Sequence, residues 1–165
     1  MTSQSGTTDT VSGISYDAYT SLIDHRIRSA WLFTLYLDEH NSEVLAKKLY
    51  IYPTSSNTLV QMTLYHQLKQ AARDELLKNT SYIKEDDLYL EAENAFMALS
   101  TLLGDDAHFF GKDGPSLFDA NVFAYTHLLL DESMNWQNTR LVDSLRKTEN
   151  LVRHQQRLLA SYFDG

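Results

Sequence analysis

FFGKDGPSLFDANVFAYTHLLL, residues 109–130, is the stretch that decides the fold. Gly111, Gly114 and Pro115 stop any earlier helix from running through it. Ser116 then stands as an N-cap with Asp119 three residues on. In that arrangement the serine oxygen accepts from the Asp119 backbone N–H, and the carboxylate reaches back to the Ser116 N–H. Leu117, Phe118, Val122, Phe123, Tyr125, Leu128, Leu129 and Leu130 cover most of the helical wheel. They predict a helix enclosed by protein on nearly every side. The apolar staple that often braces such a cap is weak, since its two positions are Pro115 and Ala120.

Working outward, Glu85–Leu103 is the cleanest amphipath. Leu88, Ala92, Ala95, Phe96, Leu99, Leu102 and Leu103 form one stripe. Glu85, Asp86, Asp87, Glu91 and Glu93 take the opposite arc, and three of these acids complement the dipole in the first turn. Gly104 ends that helix. Residues 16–38 keep helical spacing through Tyr19, Leu22, Ile23, Ile27 and Ala30, with Arg26 inside the stripe as half of an expected, partly buried ion pair with a carboxylate from another helix. Asn41-Ser42 reads as the cap of a short helix over 41–50 that ends before Pro53. Residues 57–78 form an outer helix with Met62, Leu68, Ala72 and Leu76 inward. Residues 139–147 and 149–163 make the last two. With no convincing strand and no internal repeat, the spacing predicts an all-α helical bundle of about seven helices, packed ridges into grooves.

A chain of 165 residues suffices for one domain with a sizeable core, and its net charge of −8 argues against a broad positive surface for nucleic acid or anionic lipid. There is no cysteine, which excludes disulfides, thiolate catalysis and cysteine-ligated zinc. No apolar run approaches the roughly 20 residues that span a bilayer. Residues 1–15, rich in Ser, Thr and Gly, form neither a secretory signal nor an arginine-rich transit peptide. They read as a disordered tail ahead of a domain over 16–163.

The Ser116-Leu-Phe-Asp119 box opening an apolar central helix resembles the C-terminal helical domain of the glutathione transferase fold. A narrower resemblance rests on four segments in order: SYDAYTSLIDHRIRSAWL, LYLDEHN, FFGKDGPSLFDANVFAYTHLLL and NLVRHQQRLLASYF. Together they look like the metaxins, whose fungal relatives are peripheral subunits of the mitochondrial sorting and assembly machinery. The resemblance covers roughly residues 16–163. It implies a non-enzymatic protein-interaction subunit on the cytosolic face of the mitochondrial outer membrane, active in protein import and β-barrel assembly. The partners it implies are subunits of the barrel-assembly complex and a sibling metaxin, with membrane association indirect. Family members usually carry a thioredoxin-like half before this domain and often a C-terminal extension, so the expectation is a fragment or a shortened paralogue. In glutathione transferases that half supplies the thiol-activating residue and most of the glutathione site, so no catalytic or cofactor-binding residue is assigned here. The alternatives are the helical half of a glutathione transferase enzyme and a cytosolic transferase-like scaffold.

No histidine pair has metal-ligand spacing on one helix face, so no metal is expected. His127 and Asp131, four apart, are expected to pair at the end of the central helix. Glu85, Asp86, Asp87 and Glu91 offer a docking face for a basic partner, or simply a solvated face. Met134 and Trp136 lie in a loop over 131–138 as candidate partner contacts, although loop aromatics also fold back on their own core. The last two helices are basic through Arg140, Arg146, Lys147, Arg153 and Arg157. Asn79-Thr80-Ser81 matches a glycosylation sequon and is discounted in a cysteine-free, cytosol-facing domain.

Overall fold

The computed structural model describes residues 5–111 and 113–163, with side chains described from Gly13 onward. Among these residues there are seven helices and no strand. The first, α1, combines α-helical turns at Ser5–Ser21 and Arg28–Leu32 with wider turns at Leu22–Ile27 and Phe33–Leu37. In the wider turns an amide reaches the carbonyl five residues back, as Asp38 N–H does to Phe33 O at 2.8 Å. α2 opens at Glu39–Asn41 and continues in the wide form through Ser42–Ile51. Then come α3 (Thr58–Leu76), α4 (Glu85–Leu103), α5 (Leu117–Leu130), α6 (Arg140–Arg146) and α7 (Glu149–Tyr162). Short 3₁₀ turns lie at Phe109–Gly111 and Glu132–Met134.

Helix starts at Ser5 rather than after the expected tail over 1–15, of which residues 1–4 lie outside the described residues. No proline occurs before Pro53. Once a helix is nucleated, each further residue adds one hydrogen bond for one residue fixed.

α4 lies in the middle of the bundle, against the Leu22–Ile27 turn of α1, α6 and α7. It buries Tyr89, Ala92, Ala95, Phe96, Leu99 and Leu103. The two alanines allow close approach, while burying a side chain such as Phe96 or Leu99 contributes about 1.5–3 kcal/mol. Gly104, at φ 55, turns the chain out of the helix, a conformation that favours glycine. Asn150, from the start of α7, donates to Ser100 O at 2.8 Å and Gly104 O at 3.0 Å, satisfying carbonyls left open at the end of α4.

α5 is less sheltered than its composition predicts. Phe118, Asp119, Val122, Thr126 and Leu129 are buried. Leu117 is 84% exposed and Leu128 37%, with Ala120 and Ala124 exposed between them. The partners of α5 are α6, α7 and one turn of α1, which leaves this line uncovered among the described residues. Pro115 and Ala120 are exposed and brace nothing. Aromatic rings take their place: Phe109, Phe110 and Tyr16 surround Phe118 at centroid distances of 4.9, 5.1 and 5.6 Å.

Three local expectations change. Arg26 is exposed and has no ion pair among the described residues, while Arg28 pairs with Glu75 at 2.9 Å. A wide turn holds more residues than an α-turn, so a wheel drawn at 3.6 residues rotates Arg26 to the wrong side. Met62 is 64% exposed. The inward line of α3 runs through Tyr65, Leu68, Ala72 and Leu76, displaced around the wheel from Met62. The cap of α2 is Asp38, which accepts from Asn41 N–H at 2.9 Å. Asn41 is instead fully buried. Its side-chain oxygen accepts from Gln137 and Asn138 N–H at 2.8 and 3.1 Å, and its amide donates to Asn138 O at 3.1 Å.

Asn41→Ala strands these loop amides. It is expected to cost about 2 kcal/mol, read as an earlier urea midpoint with an unchanged slope.

Candidate functional site

Asp119 is fully buried and sits at the junction of three segments. Its Oδ2 accepts from Ser116 N–H at 2.9 Å and from Ser116 Oγ–H at 2.7 Å. Its Oδ1 accepts from Phe109 N–H at 3.0 Å and lies 2.8 Å from His154 Nε2. A carboxylate only accepts, so this imidazole nitrogen carries the proton. The box is completed by Asp119 N–H donating to Ser116 Oγ at 3.3 Å. The first turn of α5, the Phe109 turn and α7 are thereby tied to one carboxyl group.

Burial pushes the Asp119 carboxyl upward. The hydrogen bonds from His154, the Ser116 hydroxyl, the Ser116 amide and the Phe109 amide outweigh it and hold the group well below the usual carboxylate range. His108 Nδ1 lies 3.7 Å from the same Oδ1 and makes no hydrogen bond. Ligand atoms of His108, Asp119 and His154 thus lie within 4.8 Å of one another, close enough to suggest a metal. Each carboxylate oxygen already holds two donors, however, and an ion would have to displace them. Asp119 is a structural joint whose own oxygens are fully taken, while His108 Nδ1 and His154 Nδ1 are buried without a hydrogen-bond partner.

Sequence reasoning found Ser116 and Asp119 but not His154, which lies on another helix. Its search was for histidine pairs on one helix face. His127 does not pair with the Asp131 side chain. His127 Nδ1 meets Gln155 Nε2 at 3.2 Å, and the Asp131 carboxylate accepts from Ser133 N–H at 2.9 Å. That bond to Ser133 holds the Asp131 carboxyl below its ordinary range.

The candidate partner contacts separate. Met134 is buried, which corrects its assignment as a contact residue. Trp136 is half-buried, with its indole N–H donating to Leu128 O at 3.2 Å and its ring edge-on to Trp31 at 5.3 Å. The loop is drawn inward by apolar burial and by the Asn41 clasp. The acidic arc is partly neutralised from within. Arg140 reaches Asp86 at 2.8 Å and Glu85 at 3.8 Å, Lys84 pairs with Asp87 at 3.0 Å, and Lys147 pairs with Glu93 at 2.7 Å. Each such exposed pair is worth about 0–1 kcal/mol. Glu91 has no ion pair among the described residues. It lines an open cleft of about 660 Å³ shared with His25, Arg26, Glu75, Asn79 and Tyr82. Both signs of charge face that cleft without converging on one point.

An all-α bundle nucleated by a capping box, with a saturated buried carboxylate and no set of groups poised for chemistry among the described residues, defines a helical domain of the glutathione transferase type. Residues 92–158 match the family model described as "Glutathione S-transferase, C-terminal domain". The chain is 30% identical over 154 residues to Metaxin-1 of Macaca fascicularis, covering 88% of this chain and 47% of that protein. It is 28% identical over 151 residues to Metaxin-1 of Homo sapiens, covering 88% and 32%. A Metaxin-1 homolog of Caenorhabditis briggsae is 31% identical over 159 residues, covering 93% and 46%. The chain belongs to the metaxin family. It spans less than half the length of these relatives. The metaxin relatives are non-catalytic proteins of this fold, and the non-enzymatic assignment is consistent with them. The same kinship supports a protein-interaction role. Among the described residues no helix is long and apolar enough to cross a membrane.

Asp119 sets an acid limit to stability. Because its folded value is depressed, its contribution is complete above the unfolded carboxyl range near about 4 and is lost as pH falls through that range toward the folded value. Asp119→Asn should remove this slope and cost roughly 3–5 kcal/mol at neutral pH, whereas Ser116→Ala should cost about 0.5–2 kcal/mol. Urea melts at stepped pH measure both.

Proposed function

We propose that this chain is a non-enzymatic protein-interaction subunit acting in mitochondrial outer-membrane protein import and β-barrel assembly. It works peripherally on the cytosolic face of that membrane. It is held there by subunits of the barrel-assembly complex, with a sibling metaxin as a further partner. The observation that carries this reading is the similarity to Metaxin-1 chains across 88% or more of the chain. Two features of the fold support it. The buried Asp119 joint is spent on architecture, which suits a rigid module. The uncovered line of Leu117, Ala120, Ala124 and Leu128 on α5 offers apolar surface for another protein.

Affinity purification of the tagged chain from mitochondria, followed by mass spectrometry, tests the reading. Core components of outer-membrane barrel assembly are the expected co-purifying proteins. Recovery without any of them, with the chain in the cytosolic fraction, overturns it. Leu117→Asp should reduce that recovery severalfold while leaving stability within about 0.5 kcal/mol, because the position is exposed. A glutathione resin should not retain the chain.

A further inference from the structure

Between Glu43 and Asp74 the chain contains no acidic residue, while Lys47, Lys48, Lys69 and Arg73 fall inside that interval. In a chain of net charge −8 this is a sharp local reversal of sign. The interval is the α2–α3 hairpin. Lys47 is paired with Glu43. Lys48 and Arg73 form no ion pair among the described residues; Lys69 forms none either, but it is half-buried over the Tyr65 ring, 5.2 Å from its centroid, and its charge acts on the Glu43 carboxylate. The same hairpin exposes large apolar side chains: Leu59 at 75%, Met62 at 64% and Tyr52 at 56%.

Their placement on α3 is ordered. At the α-helical rotation per residue, Leu59, Met62, His66, Lys69 and Arg73 fall within an arc of about 80° and along roughly 20 Å of helix. The result is a ridge along one flank of α3, apolar near the hairpin tip and cationic toward its root, exposed at Leu59, Met62, His66 and Arg73 and half-buried at Lys69. As a helix surface the ridge is convex, and no ridge side chain lines the cleft beside Glu91 or the smaller ones beside Glu93, Gln155 and Trp136. A convex ridge cannot enclose a peptide, but a fluid surface conforms to one.

We propose that this ridge docks the domain directly on a bilayer containing anionic lipid. Leu59, Met62 and Tyr52 enter the boundary between headgroups and acyl chains, and Lys48, Lys69 and Arg73 meet lipid phosphates. The basic side chains of α6 and α7 are engaged instead, Arg140 with Asp86, Arg146 with Asp143, Lys147 with Glu93 and Arg153 with Glu149, which leaves the hairpin as the less compensated basic surface of an acidic chain. The proposal does not depend on the assembly role above. It adds a direct membrane contact to a subunit otherwise held by proteins.

Flotation of the purified chain with vesicles decides the matter. Phosphatidylcholine vesicles are compared with vesicles of phosphatidylcholine and phosphatidylserine. The chain is expected to float with the second and not the first, and added salt should weaken binding. Lys48→Gln with Lys69→Gln should lower partitioning at least about tenfold, and Leu59→Ser with Met62→Ser should do the same. Leu128→Ser, on α5, should change nothing. All these positions lie outside the buried core, and unchanged thermal melting confirms intact folding. No flotation with either vesicle, equal flotation with both, or flotation indifferent to the ridge variants overturns the proposal. So does a ridge that binds soluble polyglutamate but no vesicle, which would make it a site for acidic protein. Loss of vesicle binding leaves co-purification with assembly subunits untouched, so the two readings fail separately.

Discussion

An ionised carboxylate sealed from water governs this fold. Removing such a charge from solvent costs several kcal/mol, and only a full set of donors offsets that cost. Asp119 has four: the amides of Phe109 and Ser116, the Ser116 hydroxyl and the His154 ring. Because they come from a turn, a helix cap and a distant helix, satisfying the charge fixes three segments at once. The chain between Phe109 and Ser116 must double back to bring both amides to one group. Phe110 and Gly111 both adopt left-handed backbone, at φ 60 and φ 62, to make that turn. For Phe110 this conformation is strained, and the strain is held by its ring packing on Phe118 and Tyr16.

A joint of this kind positions α5 without enclosing it. The core is built around α4, whose small residues at Ala92 and Ala95 admit neighbours closely. α5 is pinned at its first turn, packed along one side, and left apolar on the other. For an isolated enzyme an uncovered apolar line would be a liability. For a subunit that works by contact it is a prepared surface, and the stiffness of the capped helix lowers the ordering cost of binding.

What the sequence revealed depended on range. The capping box was legible because Ser116 and Asp119 are three residues apart and their chemistry is local. The amphipathic stripe of α4 was legible because its period is regular. His154 was not, since 35 residues separate it from Asp119 and nothing local marks the pair. Asn41 looked like a cap because caps and buried clasps use the same amide chemistry. Only tertiary packing, which brings the loop at Gln137 and Asn138 onto it, separates the two. Arg26 was misplaced for a geometric reason, because the wide turns of α1 break the period on which a helical wheel depends. The all-round apolar composition of α5 was likewise real, but composition cannot say which side its partners occupy.

Charge shows the same divide between the whole chain and its parts. A net charge of −8 argues against an anionic partner when the molecule is treated as one body. Screening confines each charge to a neighbourhood of about 8 Å at physiological salt, however, so surfaces farther apart than that are sensed separately. The acid-free hairpin and the acidic face of α4 therefore act as different surfaces of one rigid bundle. Their segregation onto different helices gives the domain a polarity, and polarity is what a module between a membrane surface and protein partners requires. Uniform acidity would leave its orientation undetermined. Segregated charge sets a direction, and the packing of both α3 and α4 on α1 keeps the helices that carry those charges in fixed relation.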